Sequence, residues 1–190
     1  MEPLLQQIRQ CNACAIKLKH ECKPIIQASE NSKVLIAGQA PGRIAHETGI
    51  AFNDASGQRL RDWLGVSESE FYDSNNFAIL PMSFCYPGSG KSGDLAPLKE
   101  CSLKWREQLM QSLTQVQLTI IIGRYAKQYH LGNNRQSLTE VVSMGFDSEL
   151  RRFVLPHPSP RNNIWLSKHP WFGLQVLPQL KVQVSKVLSQ

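Results

Sequence analysis

A helical pattern comes first along the chain. Leu4, Leu5, Ile8 and Cys11 share one face at 3.6-residue spacing, which predicts a helix over residues 2–16. After a polar stretch, residues 33–38 form a short apolar run ending in Gly38, the pattern of a buried strand. Residues 56–65 predict a helix with Ser56 near its N-cap and Gly65 as its stop. A second strand is predicted over residues 77–82, its pairing ended by Pro81. Residues 86–97, rich in Gly, Pro and Ser, form the one long loop. Residues 102–113 are helical in pattern, and 118–123 are the clearest buried strand. Two short helices follow over 124–130 and 138–144, then a last strand over 152–156. Residues 171–188 close the chain as an amphipathic helix that Pro178 must kink or split. Strands alternating with helices predict an α/β fold. Its form is a three-layer sandwich with a central, mostly parallel four-stranded sheet flanked by helices.

Composition narrows the class. A chain of 190 residues fits a single domain over 1–190. At 42% apolar and 19% charged, it has globular composition, which argues against disorder. No run nears the ~18 apolar residues of a membrane span, and the first residues lack a basic-then-apolar signal. A cytoplasmic monomer without membrane contact is therefore expected. The net charge of +6 and pI near 9.2 favour a polyanionic partner, because a cationic face gains affinity by releasing counterions from phosphates. The same excess also serves solubility alone. Five cysteines, Cys11, Cys14, Cys22, Cys85 and Cys101, are poor material for a disulfide framework without a secretory signal.

Open parallel sheets bind ligands at the carboxyl ends of their strands. Three candidate strands end there in loops with chemistry: Gly38-Gln39-Ala40-Pro41-Gly42 running on to Thr48-Gly49-Ile50-Ala51-Phe52-Asn53-Asp54, the segment around Cys85, and His157-Pro158-Ser159-Pro160. The first loop, with Gly57 opening a helix, resembles the first motif of the uracil-DNA glycosylase superfamily. His157-Pro158-Ser159-Pro160 resembles its distal histidine motif, and Gly123-Arg124-Tyr125-Ala126 follows in the expected place. Cys11-x-x-Cys14, with Cys85 and Cys101 fifteen residues apart, is similar to the [4Fe–4S] ligand pattern of the family 4 type.

The resemblance implies a DNA repair glycosylase that flips a damaged nucleotide into a pocket and hydrolyses its N-glycosidic bond. It implies that Phe52 stacks on the flipped base, in a pocket formed with Gly38, Ala40, Pro41 and Asn53. His157 would donate to the negative charge developing on the leaving base. Gln39, Glu47 and Asp54 would be the other catalytic candidates, although Glu47 and Asp54 equally suit capping or solvated positions. Lys91, Ser92, Ser159, Arg161 and Asn163 would face DNA. One of Ile164, Trp165 and Leu166 would wedge into the duplex, with Trp165 alternatively a core residue. Cys11, Cys14, Cys85 and Cys101 would hold a [4Fe–4S] cluster, with zinc the alternative, joining residues 1–22 to 85–101. Cys22 would stay unliganded.

The motifs also depart from family 4. Gln39 stands where an acidic residue is usual, Ala45 and His46 replace an acidic pair, and Pro81 falls where an Asn reads the uracil edge. Proline has no side-chain donor or acceptor for that task. These departures motivate an alternative function: a weak or inactive relative that binds DNA or damaged nucleotides without excision. A small-molecule hydrolase on the same fold is a third reading. Gly88-Ser89-Gly90-Lys91-Ser92 lacks the first glycine of a phosphate-binding P-loop, which would fall at Cys85.

Overall fold

The computed structural model describes residues 1–91, 93–132 and 135–190. Its strands are β1 (Val34–Ala37), β2 (Phe77–Ile79), β3 (Ser89–Gly90), β4 (Gly93–Asp94), β5 (Leu118–Ile122) and β6 (Arg152–Leu155). Its α-helices are α1 (Glu2–Arg9), α2 (Arg43–Thr48), α3 (Ala55–Leu64), α4 (Glu68–Tyr72), α5 (Lys99–Ser112), α6 (Gly123–Leu131), α7 (Leu138–Ser143), α8 (Asn163–Lys168) and α9 (Leu177–Leu188).

The four apolar runs form one sheet in the order β2-β1-β5-β6, with every neighbouring pair parallel. Leu35 pairs with Ala78 on one side and Thr119 on the other, which sets the register. Successive side chains on a strand point to opposite faces, so each face collects its own core. Val34, Ile36, Phe77 and Ile79 join one core with Leu60 and Trp63 of α3 and Leu180 and Val184 of α9. Leu35, Ala78 and Leu80 join the other, with Leu5 and Ile8 of α1 and Trp105 and Leu109 of α5. Both faces are covered, which is why the strands read as continuous apolar runs rather than alternating ones.

Several boundaries differ from the sequence reading, each for a local reason. The first helix stops at Arg9 instead of residue 16. The chain then turns through Asn12, whose carbonyl accepts the Ala15 amide, into a 3₁₀ turn at Ala15–Lys17. Asp54, not Ser56, caps α3: its carboxylate accepts the Gly57 amide at 2.9 Å. The second strand ends at Ile79, before Pro81. The closing helix is interrupted ahead of Pro178 rather than at it. A π-helical turn, Phe172–Val176, precedes α9, and Pro178 sits in the first turn of α9, where its missing N–H is harmless. The long loop contains the small antiparallel ribbon β3–β4. Among the described residues no helix is long and apolar enough to cross a membrane.

One buried cation braces the sheet. Arg106 of α5 is 1% exposed and has no carboxylate among its hydrogen-bond partners. Its guanidinium donates to the carbonyls of Leu80 (2.8 Å) and Pro81 (3.2 Å) and to Nε2 of His130 (2.9 Å). Burial, then the nearby Arg106 and Arg152, push the His130 imidazole down to about 3. Below its ordinary value of 6.5 the unfolded chain takes up a proton that the folded chain refuses, so stability falls as pH drops from about 6.5 towards 3. At pH 5 the loss from this one group is about 2 kcal/mol. Urea unfolding at about pH 7.5 and about pH 5 should show that loss, and His130→Gln, which keeps an acceptor for Arg106, should flatten it.

Candidate active site

The carboxyl ends of β1, β2 and β6 open onto a pocket of about 570 Å³, the volume of a small-ligand site. Gly38, Gln39, Ala40, Pro41, Phe52, Asp54, His157, Ser159 and Arg161 all line it. The remaining expected site residues lie elsewhere. Glu47 is exposed and paired with Arg43 at 2.7 Å, and Asn53, Lys91 and Asn163 are exposed outside the lining. Ser92 lies outside the described residues.

The first loop is fixed by its backbone. The carbonyl of Gly38 accepts the Met82 amide (2.9 Å) and that of Gln39 accepts the Ser83 amide (3.1 Å), tying the loop to the segment after β2. The Gln39 side chain spends its N–H on the carbonyl of Leu95, 3.1 Å away. Phe52 adopts φ 53°, a left-handed conformation that is an outlier for a bulky residue. Its carbonyl rests on Gly57, where any Cβ would overlap it, and Tyr72 Oη donates to that carbonyl at 3.3 Å. The ring reaches Gly38, where a Cβ would stand 3.7 Å from Phe52 Cζ, and meets Phe71 edge to face at 6.2 Å. Pro81 lines the pocket with no side-chain hydrogen-bonding group of its own.

His157 is held in one tautomer. The Ser159 amide donates to its Nδ1 at 3.2 Å, so the neutral ring carries its proton on Nε2, and the residue lines the pocket. Burial lowers the imidazole pKa, with Asp54 and then Asp94 opposing that shift. The loop is clamped by two residues that sequence reasoning missed. Asn162 Nδ2 donates to the His157 carbonyl (2.7 Å), and Arg59 of α3 donates to the Ser159 carbonyl (3.2 Å). Asp94 was missed too: it sits on β4 and lines the pocket. No motif marked it; the ribbon alone brings it there. Of the wedge candidates, Trp165 donates to Thr139 (2.9 Å) and stacks on His169, Leu166 packs on the core, and Ile164 stands 70% exposed.

The cysteines gather at a separate place. None of the five is in a disulfide, and all five line one small cavity between α1, α5 and the segment after β2. Cys22 is therefore beside the other four, not remote from them. Phe84 N–H points at Cys101 Sγ (3.2 Å) and Trp105 Nε1–H at Cys11 Sγ (3.3 Å), donors of the kind that surround thiolate ligands. Burial, helped by neighbouring thiols, pushes Cys85 and Cys101 up to about 12 each. Among the described residues no group of three or more His, Cys, Asp or Glu is gathered so as to hold a metal ion. The donor chemistry nonetheless fits a thiolate-ligated group, since a bound cation is what would deprotonate such buried thiols.

A family model described as the uracil DNA glycosylase superfamily matches residues 26–181, and the chain belongs to that superfamily. Cys11, Cys14 and Cys22 lie before the matched residues. Among solved structures, a solution NMR structure from Methanosarcina acetivorans, of a protein provisionally described as a uracil DNA glycosylase, is similar at 15% identity. The match covers 84% of this chain and 98% of that one, with a TM-score of 0.48.

The contact between Phe52 and Gly57 yields a stability prediction. Gly57→Ala should cost about 1–3 kcal/mol by overpacking and should displace Phe52. Gly38→Ala meets only an ordinary 3.7 Å contact and should be milder. Equilibrium unfolding of both variants, with a structure of the first, checks this.

Proposed function

We propose that this chain is a DNA base-excision glycosylase, hydrolysing the N-glycosidic bond of a deaminated or damaged base to leave an abasic site. The observation that carries the reading is His157, a pocket-lining imidazole whose Nδ1 accepts the Ser159 amide, which leaves Nε2–H as its one donor. Cleaving the glycosidic bond puts negative charge on the base. A fixed, partly desolvated N–H donor aimed at that charge gains strength as the bond breaks and needs no reorganisation. Phe52 offers the flipped base an aromatic face. The carboxylate of Asp54 favours the oxocarbenium character of the sugar.

DNA is the partner this reading requires. Arg161 and Ser159 line the pocket, and the exposed Ile164, three residues after Arg161, is an apolar side chain available to fill the gap left by a flipped nucleotide. The inactive-relative reading has its own support in Pro81 and in the committed amide of Gln39. Single-turnover release from a panel of modified bases, in single and double strands, decides between them. His157→Ala should lower the rate on the order of 10²–10³-fold with little change in DNA affinity, and Phe52→Ala should weaken capture by ~1–3 kcal/mol. DNA binding without release of any base favours the inactive relative. Full activity in His157→Ala removes the assigned role.

Cys11, Cys14, Cys85 and Cys101 are assigned to a [4Fe–4S] cluster, in keeping with the family 4 spacing and the shared cavity. Such a group would supply a cross-link between the N-terminal segment and α5 rather than chemistry in the pocket. The purified protein should be brown when kept from air. Cys14→Ala should lose both the colour and thermal stability, whereas Cys22→Ala should keep them. Colourless protein with stoichiometric zinc would reassign the group.

A further inference from the structure

Two carboxylates converge on the bare backbone of Gly42. A Cβ there would stand 3.7 Å from Asp94 Oδ2 and 4.0 Å from Asp54 Oδ2, and both residues line the pocket that holds His157. They reach it from different segments and are held differently. Asp54 is a helix cap, with Oδ1 committed to the Gly57 amide at 2.9 Å. Asp94 is presented by the β3–β4 ribbon: Ser89 Oγ donates to its Oδ1 at 3.1 Å and is itself 2.6 Å from Tyr86 Oη.

The ribbon is built to keep that carboxylate in place. Gly88 and Gly93 hold φ 96° and 130°, which side-chain-bearing residues rarely adopt, and the Arg161 guanidinium fills the space a side chain on Gly93 would need. The Leu95 amide closes the ribbon on the Gly88 carbonyl (2.8 Å), and Gln39 ties the Leu95 carbonyl to the first loop (3.1 Å). Asp94 is thus an exposed carboxylate, open to water, with Oδ1 held by Ser89 and Oδ2 beside Gly42, a residue of the pocket lining.

We propose that Asp94 is the carboxylate that activates the hydrolytic water, a role that rests on the glycosylase reading above. The water oxygen bonds to C1′ as the C1′–N bond breaks, and the bonding pair leaves with the base. Asp94 Oδ2 takes the proton that the water gives up. Nε2–H of His157 hydrogen-bonds to the departing base. Asp94 then returns its proton to solvent, and the base anion takes one up there. Asp54 caps α3 beside the Phe52 turn and adds negative charge, a structural task that Asp94 does not share.

The test uses the full chain and whichever substrate the base panel identifies. Asp94→Asn should lower single-turnover release on the order of 10²–10³-fold, as for loss of a general base. DNA affinity should be equal or tighter, because a negative charge near phosphates is removed. Melting temperature should not change. Added formate should restore part of the rate to Asp94→Ala but none to Asp94→Asn, which a purely structural role would not produce. Asp54→Asn keeps an equally good cap and should lose less. Wild-type rates in Asp94→Asn, or a larger loss in Asp54→Asn, would overturn the role of Asp94 while leaving the glycosylase reading intact. A wild-type chain that releases no base overturns both.

Discussion

Phe52 holds a backbone conformation that costs a bulky residue about 1–3 kcal/mol, and it persists because its carbonyl is seated against the bare Cα of Gly57. Much of the pocket's shape follows from that contact. With Gly57 in place, Asp54 can cap α3 from one residue beyond Asn53, and the same carboxylate faces the pocket. Tyr72 bridges the carbonyls of Ala51 (3.0 Å) and Phe52 (3.3 Å), so α4 also grips the turn. The ring is then carried over Gly38, at the end of β1. The loop's strain is stored where a ligand would use it, and the price is met by the packing of two helices.

A second constraint is electrostatic. Arg106 is a cation almost wholly removed from water, and carbonyl dipoles and a neutral imidazole stand in for a counter-ion. Because His130 must stay neutral to accept from it, the pair resists acid poorly. In exchange, α5 is locked to the carbonyls of Leu80 and Pro81, and Pro81 lines the pocket. Cys101 lies on the same helix and accepts from Phe84, a few residues beyond Pro81. The cysteine cavity and the pocket are therefore lined from one segment, residues 79–85, although they are separate sites.

The sheet was legible because strands covered on both faces must be almost continuously apolar, as residues 34–37 and 120–122 are. The pocket's first and third loops were legible through their resemblance to the superfamily's motifs, since glycine and proline after a strand by themselves mark only a turn. The short helices α2 and α4 were not read. For α4 a signal existed: Ser67 and Glu70 form a capping box whose S-x-x-E spacing is visible in the sequence. Asp94 was not legible, because its place over Gly42 depends on a ribbon of two-residue strands whose pairing no periodicity could show. Glu47 erred the other way. Its position in the motif suggested chemistry, but helical spacing gave it Arg43 as a partner four residues back.

These placements shift the weight of recognition within the pocket. An Asn at the end of β2 would tell one base edge from another by paired donor and acceptor, whereas Pro81 gives neither. On the glycosylase reading, stacking on Phe52 is open to every base, and a hydrogen bond from His157 to any suitably placed acceptor. A donor that strengthens as charge develops rewards bases that leave easily more than bases of one particular edge. On that reading, Ser159, Asn162 and Arg59 together fix the loop that carries the proposed leaving-group donor, while Pro81 offers no side-chain donor or acceptor to read a base edge, so the pocket favours the departure of a base over its identity.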